Sequence, residues 1–191
     1  MPIRLLLVVL AGLALARPAA AHPHVWIEAT LAPVFESERL VAFDVTWTFD
    51  DLYSELVRMD FDQDGDGTLS QRELDALVGI SAANLVEYSF FTHLRIGTER
   101  PRVTRVQDFY AEPAGDLILY RFRVPLPQPV DPAVTPVAVG LFDETYYVDI
   151  LLIERDIALD PASGCAAHLE QDREQPLYFG TFFPTYAVLD C

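Results

Sequence analysis

The sequence predicts a mainly β (α+β) protein, a β-sandwich with a helical insertion between its early strands. Three observations lead there. Apolar residues alternate with period two at both ends of the insertion, whereas between about residues 50 and 91 they recur at three- and four-residue steps. Turn-forming residues punctuate the β-rich runs at short intervals. Of the 191 residues 51% are hydrophobic and 12% aromatic, enough to build one sizeable core and too apolar for a disordered chain.

The amino-terminal segment comes first. Arg4, the apolar run Leu5 to Ala16 and the small residues Ala19-Ala20-Ala21 form the pattern of a cleavable export signal over residues 1–21. The run is too short to span a bilayer, which takes roughly 20 residues. The expected mature protein is a single domain over residues 22–191 in the periplasm. Loss of Arg4 and Arg17 would leave eleven arginines against 29 acids, a net charge of −18. No basic cluster is available for phosphates, so no nucleic-acid partner is expected.

Val25, Ile27, Ala29 and Leu31 share one face of a first strand, and Val41, Phe43, Val45, Trp47 and Phe49 share one face of a second. The turn-like Glu36-Ser37-Glu38-Arg39 joins them as a hairpin. Helical spacing follows over Asp50 to Phe61, over Ser70 to Val78, where Ser70-Gln71-Arg72-Glu73 forms a capping box, and over Ser81 to about Phe91. Arg102 to Tyr110, Asp116 to Val124, Val134 to Phe142 and Thr145 to Ile153 read as further strands, with Pro125 to Pro136 as a long, stiff loop. Cys165 and Cys191 have no competing cysteine, and in an oxidising compartment they are expected to pair.

Inside the insertion lies the chain's most specific motif. Asp62-Gln63-Asp64-Gly65-Asp66-Gly67-Thr68-Leu69-Ser70-Gln71-Arg72-Glu73 matches an EF-hand loop. A hard cation such as Ca²⁺ takes six to eight oxygens, and this loop offers the carboxylates of Asp62, Asp64 and Asp66, the Thr68 carbonyl, Ser70 and a bidentate Glu73. Gly67 permits the sharp turn, and Leu69 has the apolar side chain expected where two such loops pair. With one loop in the chain and high exterior calcium, a structural brace is expected.

The mature chain would begin His22-Pro23-His24. Residues two apart on a strand project to one side, so the two imidazoles can converge on a zinc, nickel or cobalt ion. Pro23 has no backbone proton to lose, which excludes the square-planar amino-terminal copper site. A polar terminus with two solvated histidines is the competing reading. His93 and His168 are expected to be structural. Asp44, Asp50, Asp143, Glu144 and Asp149 are possible carboxylate ligands, with solvated surface acids as the default.

The opening His22-Pro23-His24-Val25-Trp26-Ile27-Glu28, the run Trp47-Thr48-Phe49-Asp50-Asp51-Leu52-Tyr53-Ser54, the loop ending at Glu73 and Phe142-Asp143-Glu144-Thr145-Tyr146-Tyr147 resemble an uncharacterised bacterial family. Its members are labelled the periplasmic component of an ABC-type transport system, are often encoded beside permeases of the nickel/cobalt type, and are in some cases associated with zinc acquisition. The resemblance spans essentially the whole mature chain. It implies a periplasmic metal-handling accessory whose partner is an inner-membrane metal permease. The family pattern has Asp-Pro where this chain has Asp143-Glu144. The length and the strand pattern do not suit a two-lobed solute-binding protein.

Two other functions remain open at this stage: a calcium-stabilised binding or scaffold domain without transition metal, and a copper-dependent enzyme. No nucleophile elbow, His-Glu-x-x-His helix or Cys–His pair is present to name another reaction, and no catalytic role is expected.

Overall fold

The computed structural model describes residues 23–191. The expected export signal and His22 lie outside the described residues. Among the described residues nine strands form two sheets. In order they are β1 (Val25–Glu36), β2 (Arg39–Phe49), β3 (Thr92–Ile96), β4 (Gln107–Ala114), β5 (Leu117–Val130), β6 (Val137–Leu141), β7 (Val148–Leu151), β8 (Ala166–Gln171) and β9 (Thr185–Asp190). One sheet has the order β4-β5-β2-β1-β7 and the other β3-β6-β9-β8. All pairings are antiparallel except β1 with β7. Two helices, α1 (Asp51–Phe61) and α2 (Gln71–Leu85), stand between β2 and β3.

The first hairpin follows its sequence pattern closely. Along β1, Val25, Ile27, Ala29 and Leu31 are buried while Trp26, Glu28 and Thr30 are exposed. Its turn places Ser37 and Glu38 at φ 49° and 66°. Positive φ at both central residues matches the right-handed twist of the flanking strands. On β2, Phe43, Val45, Trp47 and Phe49 face inward, but Leu40 takes the place expected for Val41, because the pairing with β5 slips between Leu40 and Ala42.

Several expected boundaries move. The stretch Pro125 to Pro136 is not one loop: β5 continues to Val130, with Val124, Leu126 and Val130 buried. The physical reason is pairing. β4 reaches only as far as Arg123, so beyond it one edge of β5 is unpaired and prolines cost no ladder bond there. α2 runs unbroken to Leu85 and absorbs the start of the third expected helix, which then gives way to a left-handed turn at Ser89, Phe90 and Phe91 with φ 55°, 52° and 46°. The expected strand at Arg102 begins only at Gln107.

One core joins both sheets and the helices. Trp47 sits at its centre with rings of Phe122, Phe91 and Phe49 at 4.7, 6.0 and 6.4 Å. α1 is latched by the buried Ser54, whose hydroxyl accepts the Ile118 N–H at 3.0 Å. α2 buries Leu74 and Leu77, and Ser81 shares a 2.9 Å hydrogen bond with the Tyr120 hydroxyl. Cys165, just before β8, is disulfide-bonded to Cys191, just after β9. No helix among the described residues is long and apolar enough to cross a membrane.

Candidate metal centre

The acidic loop connects α1 to α2. Its turn is shaped by backbone freedom: Gly65 and Gly67 have φ of +72° and +86°, values a side chain would resist. Asp62 folds back over the loop, its two oxygens accepting the N–H groups of Gly65 at 2.7 Å and Gly67 at 2.8 Å. Asp66 accepts from the Thr68 N–H and hydroxyl, both at 2.8 Å. Each of Asp62, Asp64 and Asp66 offers an oxygen, and the three lie within 4.8 Å of one another. Three carboxylates that close repel unless a cation or several N–H dipoles face them, and the donor set suits a hard ion.

Glu73 stands differently. Its carboxylate bridges the two ends of the loop, accepting from Gln63 N–H at 2.7 Å on one oxygen and from Ser70 N–H and hydroxyl at 2.8 and 2.7 Å on the other. The Ser70 hydroxyl and these backbone groups hold its carboxyl below the usual carboxylate range. The three aspartates are thus gathered by the structure, whereas Glu73 is tied to backbone outside that trio. Thr68 and Ser70 lie on the same loop and make the bonds just given.

Leu69, apolar at the position where two such loops pair, is 9% exposed and belongs to the main core with Leu74 and Leu77. The loop is therefore fastened to the fold by an apolar side chain at its eighth position.

His24 is exposed and stands just before β1 of the five-stranded sheet. His24 donates its N–H to the Tyr147 carbonyl at 2.9 Å, and its ring centroid is 4.8 Å from that of Tyr147. The parallel register sets Trp26 opposite Asp149 and Glu28 opposite Leu151. Side chains alternate along strands, so His24, Trp26, Glu28, Tyr147 and Asp149 share one face. Burial raises the Asp149 carboxyl above its ordinary value. Trp26, Glu28, Asp50, Asp51 and Asp149 line a cavity of about 370 Å³ there. Whether His22 joins His24 is outside the described residues.

Several other candidates have structural employment. Asp50 caps α1 by accepting the Tyr53 N–H at 2.9 Å, and its other oxygen takes the Trp26 N–H at 2.8 Å, tying the start of the helix to β1. Asp44 forms a two-point pair with Arg123 at 2.6 and 2.9 Å. Asp143 is buried and accepts from the N–H groups of Thr145, Tyr147 and Val148 and the Thr145 hydroxyl. His93 stacks on Phe142 at 3.8 Å, and burial lowers its pKa. His168 bonds Asp190 at 2.6 Å.

The chain is 36% identical over 135 residues to an uncharacterized 15.5 kDa protein in the trpE 3' region of Spirochaeta aurantia, covering 69% of this chain and 95% of that one. It is 28% identical over 142 residues to an uncharacterized protein of Haemophilus influenzae, covering 73% of this chain and 66% of the relative. No solved structure gives a significant match. A family model described as "Protein of unknown function (DUF1007)" matches residues 7–178, and the chain belongs to that family.

Proposed function

We propose that the protein is an exported, calcium-braced accessory that binds a divalent transition metal for an inner-membrane permease of the nickel/cobalt type. The observation that carries the calcium half is the acidic loop from Asp62 to Glu73 between two helices, which we read as an EF-hand-like insertion on a β-sandwich. Asp62, Asp64 and Asp66 already stand together, Gly67 has the left-handed turn, and Leu69 roots the loop in the core. Asp62, Asp64, Asp66, the Thr68 carbonyl, Ser70 and Glu73 would hold the ion, which supplies charge neutralisation and rigidity.

A ligand that binds only the folded state at tenfold its Kd adds about 1.4 kcal/mol of stability. Millimolar exterior calcium reaches that level for a site with Kd on the order of 10⁻⁴ M. Chelation should lower the melting temperature of the native protein and leave an Asp62→Ala/Glu73→Ala variant unmoved. Equal sensitivity of the two would count against the brace.

The transition-metal half rests on His22, which lies outside the described residues, and on His24, just before β1 in line with the face that also bears Glu28 and Asp149. Imidazole with carboxylate suits zinc, nickel or cobalt. Calorimetric titration of the processed protein with each metal, against a His22→Ala/His24→Ala variant, tests it. Indistinguishable binding removes the delivery role and leaves a calcium-stabilised binding or scaffold domain. The aspartate trio is common to both readings, so the second stands without the histidines.

A further inference from the structure

A cavity of about 620 Å³ lies far from the acidic loop in sequence, bounded by β3, the segments around residues 88 and 101, the turn after β6 and the approach to β9. Its walls carry three of the chain's thirteen arginines, although the net charge is −16. Arg95 is matched: it pairs with Asp172 and lies 3.6 Å above the Tyr186 ring. Arg100 and Arg102 form no ion pair among the described residues. Arg100 donates to the carbonyls of Gly97 and Glu99, and Arg102 to the Ser89 hydroxyl and the Glu87 carbonyl. Neutral acceptors orient a guanidinium without cancelling its charge.

The opposite wall is negative. Asp143 is buried and held by neutral donors, and Glu144 next to it is exposed. Topology separates the two sets. At His93, β3 bridges Arg102 along one edge and pairs with Gly140 of β6 along the other, so Arg102 and the Asp143–Glu144 turn flank the strand from opposite sides, while Glu87 also lines the cavity beside Arg102. Between them the stacked rings of His93 and Phe142 provide a flat apolar surface. Burial keeps the His93 ring inclined to its neutral form, which leaves the division of charge intact.

The wall nearest Arg102 is built from backbone in an unfavourable conformation. Ser89, Phe90 and Phe91 all have positive φ, which costs of order 1 kcal/mol or more per residue. That turn presents the Ser89 hydroxyl to Arg102. Strain retained where it orients a charged group is the pattern of a binding wall.

We propose that this cavity binds a zwitterion of the amino-acid and short-peptide class, its carboxylate on Arg100 and Arg102 and its ammonium on the Asp143–Glu144 side. The volume falls within the range of roughly 300–1,000 Å³ typical of small-ligand sites and exceeds what one small amino acid fills. The proposal uses none of the residues of the calcium or histidine sites and stands or falls apart from them.

Calorimetry with alanine, dialanine and trialanine tests it, together with N-acetylated and C-amidated trialanine. At least one free peptide should bind at millimolar concentration or better, and each blocked form should bind about tenfold more weakly, a change worth 1.4 kcal/mol. Arg100→Gln/Arg102→Gln should abolish the advantage of a free carboxylate. Glu144→Gln, on an exposed side chain that folding does not need, should reduce the advantage of a free ammonium. Absence of binding by all three free compounds, blocked peptides that bind as well as free ones, or a folded Glu144→Gln protein with unchanged preference would each overturn the assignment.

Discussion

Replacing Asp143 with alanine should be one of the costliest single changes in the chain. The carboxylate is 4% exposed and accepts the N–H groups of Thr145 at 2.9 Å and of Tyr147 and Val148 at 3.1 Å. A hydrogen bond to a charged acceptor contributes about 1.5–3 kcal/mol, and an orphaned buried donor costs about 1–3 kcal/mol. Because Thr145 and Tyr147 are exposed and water can reach their N–H groups, the loss should be about 2–4 kcal/mol in total rather than the full sum. Asp143→Asn should lose nearly as much, since its amide nitrogen would face one set of N–H donors. Urea unfolding at constant slope measures both, and amide exchange should show β7 loosening from β1. If both variants stay within about 0.5 kcal/mol of the parent, the range of neutral surface changes, the assigned role of this carboxylate is wrong.

Other expectations follow from single contacts. Leu69→Ala should destabilise by about 2–4 kcal/mol through the cavity it leaves, and should weaken calcium binding although Leu69 offers no side-chain oxygen; denaturation with and without calcium separates the two effects. Gly140→Ala should destabilise by about 1–3 kcal/mol, because a Cβ there would come within 2.6 Å of the Phe142 ring; a thermal midpoint equal to that of the parent would contradict the packing. Reduction of Cys165–Cys191 should remove about 3.5 kcal/mol, the chain-entropy value for a 26-residue separation, read as a shift in urea midpoint with added reductant. His93 titrates below its ordinary 6.5 in the folded state, so its contribution to stability is complete above that pH and fades as acid carries the solution through the folded value; a His93→Gln variant should show a flatter stability profile on the acid side, and an identical slope would refute it.

The hairpin and the acidic loop were legible because each has a local rule. Alternation along β1 needs only that one face be buried, and the loop's oxygen spacing is set by one turn of backbone. β5 was misread at Pro125 because proline argues against a strand only where its missing N–H would have had a partner, and that depends on how far β4 extends. β8 and β9 went unseen for a related reason. Ala166–Gln171 has no buried residue to announce it, and it is defined as a strand by pairing with Thr185–Asp190. The arginine cavity was equally hidden, because what brings Arg102 and the Asp143–Glu144 turn together is the pairing of β3 with both its neighbours. The three arginines between Arg95 and Arg102, too few to count as a phosphate-binding cluster, were the available hint.

The parallel union of β1 with β7 also sets an order of events for a chain made from its amino end. β1 and β2 can close their hairpin early, yet the flank of β1 that β7 will cover stays bare until most of the polypeptide has emerged. A bare strand flank is an invitation to foreign strands. Folding should therefore be slow for the protein's size, dominated by that late long-range docking, and most vulnerable to aggregation when synthesis stalls before Val148.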